Sequence, residues 1–162
     1  MRYIYLKLNK FIELFLVIIF GLLVLDVLMQ VGSRYILGKS FSFTEEFARF
    51  SLIWLSILGA AYLNGQREHL SMDFLYRKFS KEKQVTATKI TEVLIAIFSL
   101  VVMVIGGFNL VYITLHLGQL SPALHLPLGY VYMIVPISGL IIIFYAIYNI
   151  SIANHSIKAN IK

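Results

Sequence analysis

The sequence contains no cysteine, and only 14% of its 162 residues are charged. The lack of cysteine excludes disulfide bonds and thiolate metal sites. The lack of charge is unlike an ordinary soluble domain, in which about 25% of residues are charged and about 45–50% are apolar. Here 59% of the residues are hydrophobic and the mean hydropathy is +0.83. A small soluble domain could not bury this much apolar material, so the composition indicates a protein that lies in lipid.

Four segments are long and apolar enough to cross the roughly 30 Å hydrocarbon core of a membrane. They cover about residues 11–31, 47–63, 90–117 and 128–152. The first segment is longer than the roughly 7–15 apolar residues of a signal peptide and has no A-x-A-like cleavage site after it, so it is interpreted as a retained helix. The sequence therefore predicts an all-α integral membrane protein with one four-helix transmembrane domain over residues 1–162.

The basic residues are distributed unevenly between the two sides of these segments. Eleven of the 14 lysines and arginines lie in the N-terminal segment, in the connection between the second and third spans, and in the C-terminal tail. The other three, Arg34, Lys39 and Arg49, lie on the opposite side, between the first span and the start of the second. Cytoplasmic loops are enriched in lysine and arginine, so both termini are predicted to be cytoplasmic. The net charge of +6 is then explained by topology and by anionic lipid, without nucleic acid.

The segment before the second span predicts a charged, capped helix start. Ser42 and Glu45 have the spacing of a capping box, and Thr44 is an alternative N-cap. Glu45 and Arg49 are four residues apart in the favourable order, and Glu46 is three residues before Arg49. We expect Glu45 and Arg49 to lie close together. The interleaved aromatic residues predict that this segment lies partly in the membrane interface; they are Phe41, Phe43, Phe47 and Phe50.

The connection between the second and third spans predicts a short amphipathic helix at the membrane interface. Its apolar residues recur near helical spacing beside two basic residues, which is typical of interfacial helices. The residues concerned are Leu70, Phe74, Leu75 and Phe79, with Arg77 and Lys78.

Small residues and prolines indicate where spans pack or bend. Ser56 and Ala60, with Gly59 beside them, form a small-xxx-small face that suits packing against another helix, either in this chain or in a partner. The indole of Trp54 is compatible with a core position or with a lipid-facing anchor. Pro127 marks the start of the fourth span. Pro136 lacks an amide donor and should kink or loosen that span.

Gly106 and Gly107 in the third span indicate close helix packing and not a phosphate-binding loop. The chain contains no P-loop, dinucleotide-binding or hydrolase motif, so no enzymatic activity is predicted.

The ionisable residues give little support for chemistry within the membrane. Glu13 is near the cytoplasmic end of the first span, and Asp26 is near its outer end. Asp26 is expected to lie at the interface or to pair with Arg34 or a partner, with proton or ion coupling as the alternative. No histidine is at the centre of a span, where a haem would need two; they are His69, His116, His125 and His155. No cofactor is predicted in this chain.

Three stretches together resemble the small membrane subunit of tripartite ATP-independent periplasmic (TRAP) transporters. The main one runs from Glu45-Glu46-x-x-Arg49 through Trp54 and Gly59-Ala60-Ala61 to His69-Leu70-Ser71-Met72-Asp73. Val31-x-x-Arg34-Tyr35 is similar to the exit of helix one in that family. The run from Ser121 to Pro127, with Tyr132 and Pro136 after it, is similar to the entry of helix four.

The resemblance implies a function that composition does not reveal. Such subunits lie in the bacterial inner membrane as fixed scaffolds beside a large membrane subunit that carries the substrate and sodium sites. A periplasmic binding protein delivers an organic acid, such as a dicarboxylate or sialic acid. By this reading Glu45, Glu46, Arg49, Trp54, His69 and Asp73 are structural or interface residues and not ligands, and the large subunit is a separate chain.

Two alternatives from other classes remain at this point. One is a self-sufficient, proton-coupled exporter that acts as a dimer, resembling small multidrug resistance proteins, in which Glu13 would be the coupling residue. The other is the membrane anchor of a redox enzyme. Against the exporter, this chain is longer, its connection between the second and third spans is bulky and amphipathic, and Glu13 lies close to the end of its span.

Overall fold

The computed structural model describes the backbone of residues 2–38, 41–66 and 81–160, and their side chains except at 37, 81–84 and 154–160. The predicted interfacial helix near residues 70–79 lies outside these residues, as do His69 and Asp73. In the described part the chain is helical, with no strand. Its elements are α1 (Arg2–Leu37), α2 (Ser42–Gln66), α3 (Lys81–Phe98), a π-helical segment (Ser99–Gly106), α4 (Gly107–His116), α5 (Leu128–Tyr132) and α6 (Ile134–Asn160).

Four helical stretches are long and apolar enough to cross a membrane, which confirms the predicted all-α, four-span class. The first span is α1 and the second is α2. The third combines α3, the π segment and α4, and the fourth combines α5 and α6. The main difference from the prediction is the first span, where the helix has 36 residues and extends well beyond 11–31 at both ends.

The spans do not pack in chain order. α1 packs on α2, α2 packs on α6, and α6 packs on α3 and the π segment. The order in space is therefore first, second, fourth, third. The fourth span is the most buried. Of the 18 residues taken from its apolar part, 44% are buried inside the protein, against 17% in the first and third spans. Hydrophobic residues of the first, second and fourth spans form the core; they are Ile12, Leu58, Ile134 and Tyr145.

This arrangement gives the protein two ends. We call the end where α1 ends and α2 begins, which also has the 117–127 loop, the hairpin end. The opposite end, where α1 begins and α6 ends, is the terminal end. Contacts between residues far apart in sequence connect the spans at both ends.

The fourth span begins and breaks at its prolines. Pro127 is the N-cap of α5 and has an extended backbone, with φ −61° and ψ 120°. α5 stops at Tyr132, and α6 starts after Met133. Pro136 has no amide to donate to the carbonyl four residues earlier, that of Tyr132, so the regular hydrogen-bond ladder is interrupted at this point.

Close packing joins the third and fourth spans. A Cβ atom at Gly107 would lie 2.9 Å from Cδ of Pro136, so only glycine fits there without displacement. At Gly106, by contrast, the nearest such atom is the carbonyl oxygen of Val101 in the same helix, 3.7 Å away. Of the two glycines, Gly107 makes the predicted close contact. Nearby, the buried Ser99 hydroxyl donates to the Gly139 carbonyl at 2.8 Å.

Candidate functional site

The start of α2 positions the acidic residues at the hairpin end. The helix begins at Ser42, so Thr44 lies within the first turn. The Thr44 amide and hydroxyl both donate to the Phe41 carbonyl, at 3.1 Å and 2.7 Å. Glu45 is exposed and Glu46 is buried, since neighbouring residues of a helix face different directions.

Glu46 connects the second span to the loop between the third and fourth spans. Its Oε2 atom accepts hydrogen bonds from the Ser121 hydroxyl at 2.5 Å and the Leu124 amide at 3.0 Å. The Leu124 amide also lies 3.2 Å from the Ser121 hydroxyl oxygen, and the Ala123 amide faces the same carboxylate. We call Glu46, Ser121, Ala123 and Leu124 the Glu46 site. Hydrogen bonds to a charged carboxylate are stronger than those between neutral groups, so this site holds the loop firmly against α2.

The 117–127 loop is itself folded tightly. An antiparallel bridge pairs Leu120 with Pro127. The Ser121 amide donates to the Leu126 carbonyl at 2.9 Å, and the His125 amide donates to the Ser121 carbonyl at 3.0 Å. His125 has a left-handed φ of 51°, a conformation that non-glycine residues seldom adopt unless surrounding contacts impose it. The loop and the start of α2 therefore form one ordered surface.

A charged depression of about 530 Å³ lies on this surface. The structure brings together three of the predicted site residues here, because Glu45, Glu46 and Arg49 all line it. The positive charge of Arg49 acts on the Glu46 carboxylate. The direct Glu45–Arg49 pair stays a prediction. Exposed charges of both signs around a rigid loop are suited to binding a polar protein surface.

Trp54 is neither a purely core residue nor a free lipid anchor. Its indole Nε1 donates to the Val131 carbonyl at 2.9 Å, and its ring centroid lies 6.1 Å from that of Phe15. Trp54 therefore joins the first, second and fourth spans below the Glu46 site.

The terminal end contains a cluster of buried polar residues from all four spans. Each is less than 10% exposed, and they are Asn9, Asn64, Glu92, Tyr145 and Asn149. The Asn149 amide donates to Glu92 Oε1 at 2.9 Å and to the Asn64 carbonyl at 3.4 Å. The Tyr145 hydroxyl donates to the Asn9 side chain. Hydrogen bonds of this kind hold transmembrane helices together where lipid offers no alternative partner.

Two half-buried tyrosines beside this cluster, Tyr5 and Tyr148, fix α1 against its neighbours. The Tyr5 hydroxyl donates to the Gly65 carbonyl at 2.9 Å, and its ring stacks on Tyr148 with a centroid distance of 4.3 Å. Sequence reasoning missed the cluster. A signal was present, because asparagine and glutamate inside apolar segments are costly unless they have polar partners.

The small-residue face of α2 is not covered by the described part of this chain. Ser56 and Ala60 are exposed, and no atom would lie within 4 Å of a Cβ atom at Gly59. Within the described residues this face is therefore largely open. Its packing against another helix, in this chain or in a partner, stays a prediction.

The two acidic residues of the first span have opposite environments. Glu13 is exposed on the helix surface, whereas Asp26 is buried. Oδ2 of Asp26 has no hydrogen-bond partner among the described residues. Within the same residues, no three histidine, aspartate or glutamate side chains are grouped so that they could hold a metal ion.

Comparison with known proteins identifies the family. Residues 23–152 match the DctQ component of tripartite ATP-independent periplasmic transporters. The chain is 29% identical to a Haemophilus influenzae protein, provisionally named a TRAP transporter small permease protein, over 83% of this chain and 81% of that protein. It is 28% identical to the ectoine TRAP transporter small permease protein TeaB of Halomonas elongata, over 80% of this chain and 69% of that protein.

The matched region contains the second and third spans, all but the last residue of the fourth, and the later part of the first, together with the Glu46 site and the small-residue face of α2. The expected resemblance is thus confirmed, and it displaces the exporter and redox-anchor alternatives. The chain belongs to the DctQ family, the small membrane subunits of TRAP transporters.

Proposed function

We propose that this chain is the fixed scaffold of a sodium-driven importer of an organic acid in a bacterial inner membrane. It pairs with a separate large membrane subunit, which holds the substrate and sodium sites, and with a periplasmic binding protein. The family assignment supports the transporter role. The charge distribution supports the orientation, with the terminal end in the cytoplasm and the hairpin end in the periplasm.

The single observation that carries the scaffold role is the Glu46 site. A scaffold beside a moving subunit must hold its own helices in fixed positions. Glu46 joins α2 to the 117–127 loop, and the terminal-end cluster joins all four spans at the other end. Because its helices are held to one another at both ends, the chain is suited to remain stationary while a neighbour moves.

The charged depression at the hairpin end gives the periplasmic binding protein a place to dock. It presents Glu45 and Arg49 beside Pro122 and Ala123 of the ordered loop. Charges of both signs favour a transient, salt-sensitive contact, which suits a protein that must deliver its substrate and leave.

The substrate is determined by the partner proteins. One relative is named for ectoine. For this chain we propose an organic acid, with dicarboxylates and sialic acid as the first compounds to assay.

The test is reconstitution of the chain with its large subunit and binding protein in sealed vesicles. We expect uptake of the substrate only when all three proteins and an inward sodium gradient are present. Uptake that is unaffected by omitting this chain would contradict the scaffold role. Uptake that needs the chain but is indifferent to sodium would retain that role and refute the sodium coupling. Transport by this chain alone, abolished by Glu13→Gln, would restore the exporter alternative.

A further inference from the structure

Asn109 places a primary amide on the outer surface of the third span. The residue is exposed, and it lies in α4, seven residues before the exposed His116 at the membrane end. Seven residues of helix correspond to about 10 Å, so the amide lies about two turns inside the end of the apolar helical stretch Val85–His116. Its neighbours on the helix surface are apolar, including Ile105 at 61% and Phe108 at 56% exposure.

The π segment determines which way Asn109 points. A regular α-helix returns to the same face about every seven residues, so the buried face at Ser99 would recur at Gly106. Instead, the buried residues after the π segment are Gly107, Val111 and Thr114. The wider π turns thus accommodate one extra residue and rotate α4. Asn109, about 200° around the helix from Gly107, faces directly away from the fourth span.

Other features of this side of α4 favour contact with a helix. Gly106 is exposed one turn away, with no neighbouring element near it, so another backbone can approach closely. Tyr112, 66% exposed, stacks on His116 with a ring-centroid distance of 5.7 Å. We call Gly106, Asn109, Tyr112 and His116 the Asn109 face.

Lipid is a poor occupant for this face. The asparagine amide has two donor hydrogens and an acceptor oxygen, and acyl chains satisfy none of them. Asparagine side chains in transmembrane helices form hydrogen bonds across helix–helix interfaces. The third span is at one edge of the helix order, and only the fourth span packs against it substantially among the described elements, so the Asn109 face is open to an incoming helix.

We propose that the Asn109 face is the site where a transmembrane helix of the large subunit packs, with a polar group of that helix bonded to the Asn109 amide. This inference rests on the proposed function, in which the chain has one large membrane partner. The π segment is then the device that turns the amide toward that partner.

The test uses the chain co-expressed with the large subunit of its transporter. A photoreactive amino acid is placed at position 109, or at position 110 as a control at the same depth. Leu110 is 41% exposed and lies about 100° around the helix from Asn109. We expect crosslinking to the large subunit several times more often from 109 than from 110.

A second measurement uses Asn109→Leu, with Leu110→Ala as its control. The leucine should weaken recovery of the large subunit roughly three- to tenfold, as expected for one interhelical hydrogen bond in a membrane. Thermal stability of the isolated chain should be unchanged or higher, because leucine suits lipid better than asparagine does. An unstable isolated Asn109→Leu chain would show that the amide serves this chain's own fold and would overturn the proposal.

The remaining outcomes distinguish a failure of the Asn109 face proposal from a failure of the proposed function. Crosslinking from 109 only to lipid, or only to a second copy of this chain, would overturn the proposed contact at the Asn109 face. If the large subunit still co-purifies in that case, the subunit assignment stands. If the wild-type chain does not recover the large subunit at all, both the proposed function and the proposal fail.

Discussion

The Glu46 carboxylate in the second span accepts a hydrogen bond from the hydroxyl of Ser121, which is 75 positions later in the chain. The same oxygen accepts the Leu124 amide. The loop after the third span is thereby fastened to the start of the second span. This contact holds the folded loop against the start of α2, and the binding-protein docking that we propose depends on that arrangement.

Replacing Glu46 should loosen the hairpin end. Glu46→Ala leaves the Leu124 amide and the Ser121 hydroxyl without their shared acceptor, so the melting temperature in detergent should fall. Glu46→Gln retains an acceptor but loses the charge, so its effect should be smaller. Glu45→Ala is the matched control, because Glu45 is the exposed neighbour on the same helix turn.

A double-mutant cycle isolates the contact itself. If Glu46 and Ser121 act through one another, Glu46→Ala combined with Ser121→Ala should cost less than the sum of the single effects. If the decreases in melting temperature were strictly additive, the Glu46–Ser121 contact would be contradicted. Equal effects of Glu46→Ala and Glu45→Ala would contradict it as well.

The terminal-end cluster gives a second prediction. Asn149→Leu withdraws the amide that donates to Glu92 and leaves a buried carboxylate with one donor fewer. The free energy of unfolding should fall by about 1–3 kcal/mol, measured by titration with a denaturing detergent. Ile147→Ala is the control, since Ile147 is a 54% exposed residue of the same helix.

The compensating change is Glu92→Leu. Replacing both partners of a buried hydrogen bond with apolar groups costs less than removing one of them. The double variant Glu92→Leu/Asn149→Leu should therefore be more stable than Asn149→Leu alone. A double variant that is less stable than the single one would show that Glu92 is held by other groups more strongly than by Asn149.

Two glycines of α2 should respond in opposite ways to substitution. A Cβ atom at Gly65 would lie 2.8 Å from the ring of the fully buried Tyr145, whereas nothing lies within 4 Å of one at Gly59. Gly65→Ala should destabilise the isolated chain by about 1–3 kcal/mol through overpacking. Gly59→Ala should leave its stability unchanged or raise it slightly, because alanine favours helix.

The larger substitution Gly59→Leu tests what covers the small-residue face in the complex. In the isolated chain it should be tolerated, since the face is open. In the assembled transporter it should reduce recovery of the large subunit if that subunit packs on this face. Normal recovery of the large subunit would show that this face is outside the interface with that subunit and faces lipid.

The helical class was readable from sequence because it depends on a local property. Twenty consecutive apolar residues indicate a span wherever they occur. The ends of α1 were not readable in this way. The helix continues through Lys7 and Lys10 toward Arg2, where long basic side chains can extend to the head groups while the backbone stays helical.

The contacts that define the candidate site could not be predicted from the sequence, for a different reason. Glu46 was recognised as a structural residue, but its partner Ser121 depends on the fourth span lying beside the second. No local pattern specifies that order. The π segment was also missed, because Gly106 and Gly107 signal close packing without indicating an extra residue in the turn before them.

The orientation in the membrane is the last prediction, and the chain offers a clean way to test it because it contains no cysteine. A single cysteine can be introduced at Gln119 in the exposed hairpin-end loop or at Tyr3, 69% exposed near the start of α1. With basic residues concentrated at the terminal end, Gln119→Cys should react with a membrane-impermeant maleimide added to the periplasmic side, and Tyr3→Cys should react only after the membrane is opened. The reverse labelling would place the Glu46 site in the cytoplasm and remove the binding-protein docking proposed for it, while leaving the family assignment and the Asn109 face as they are.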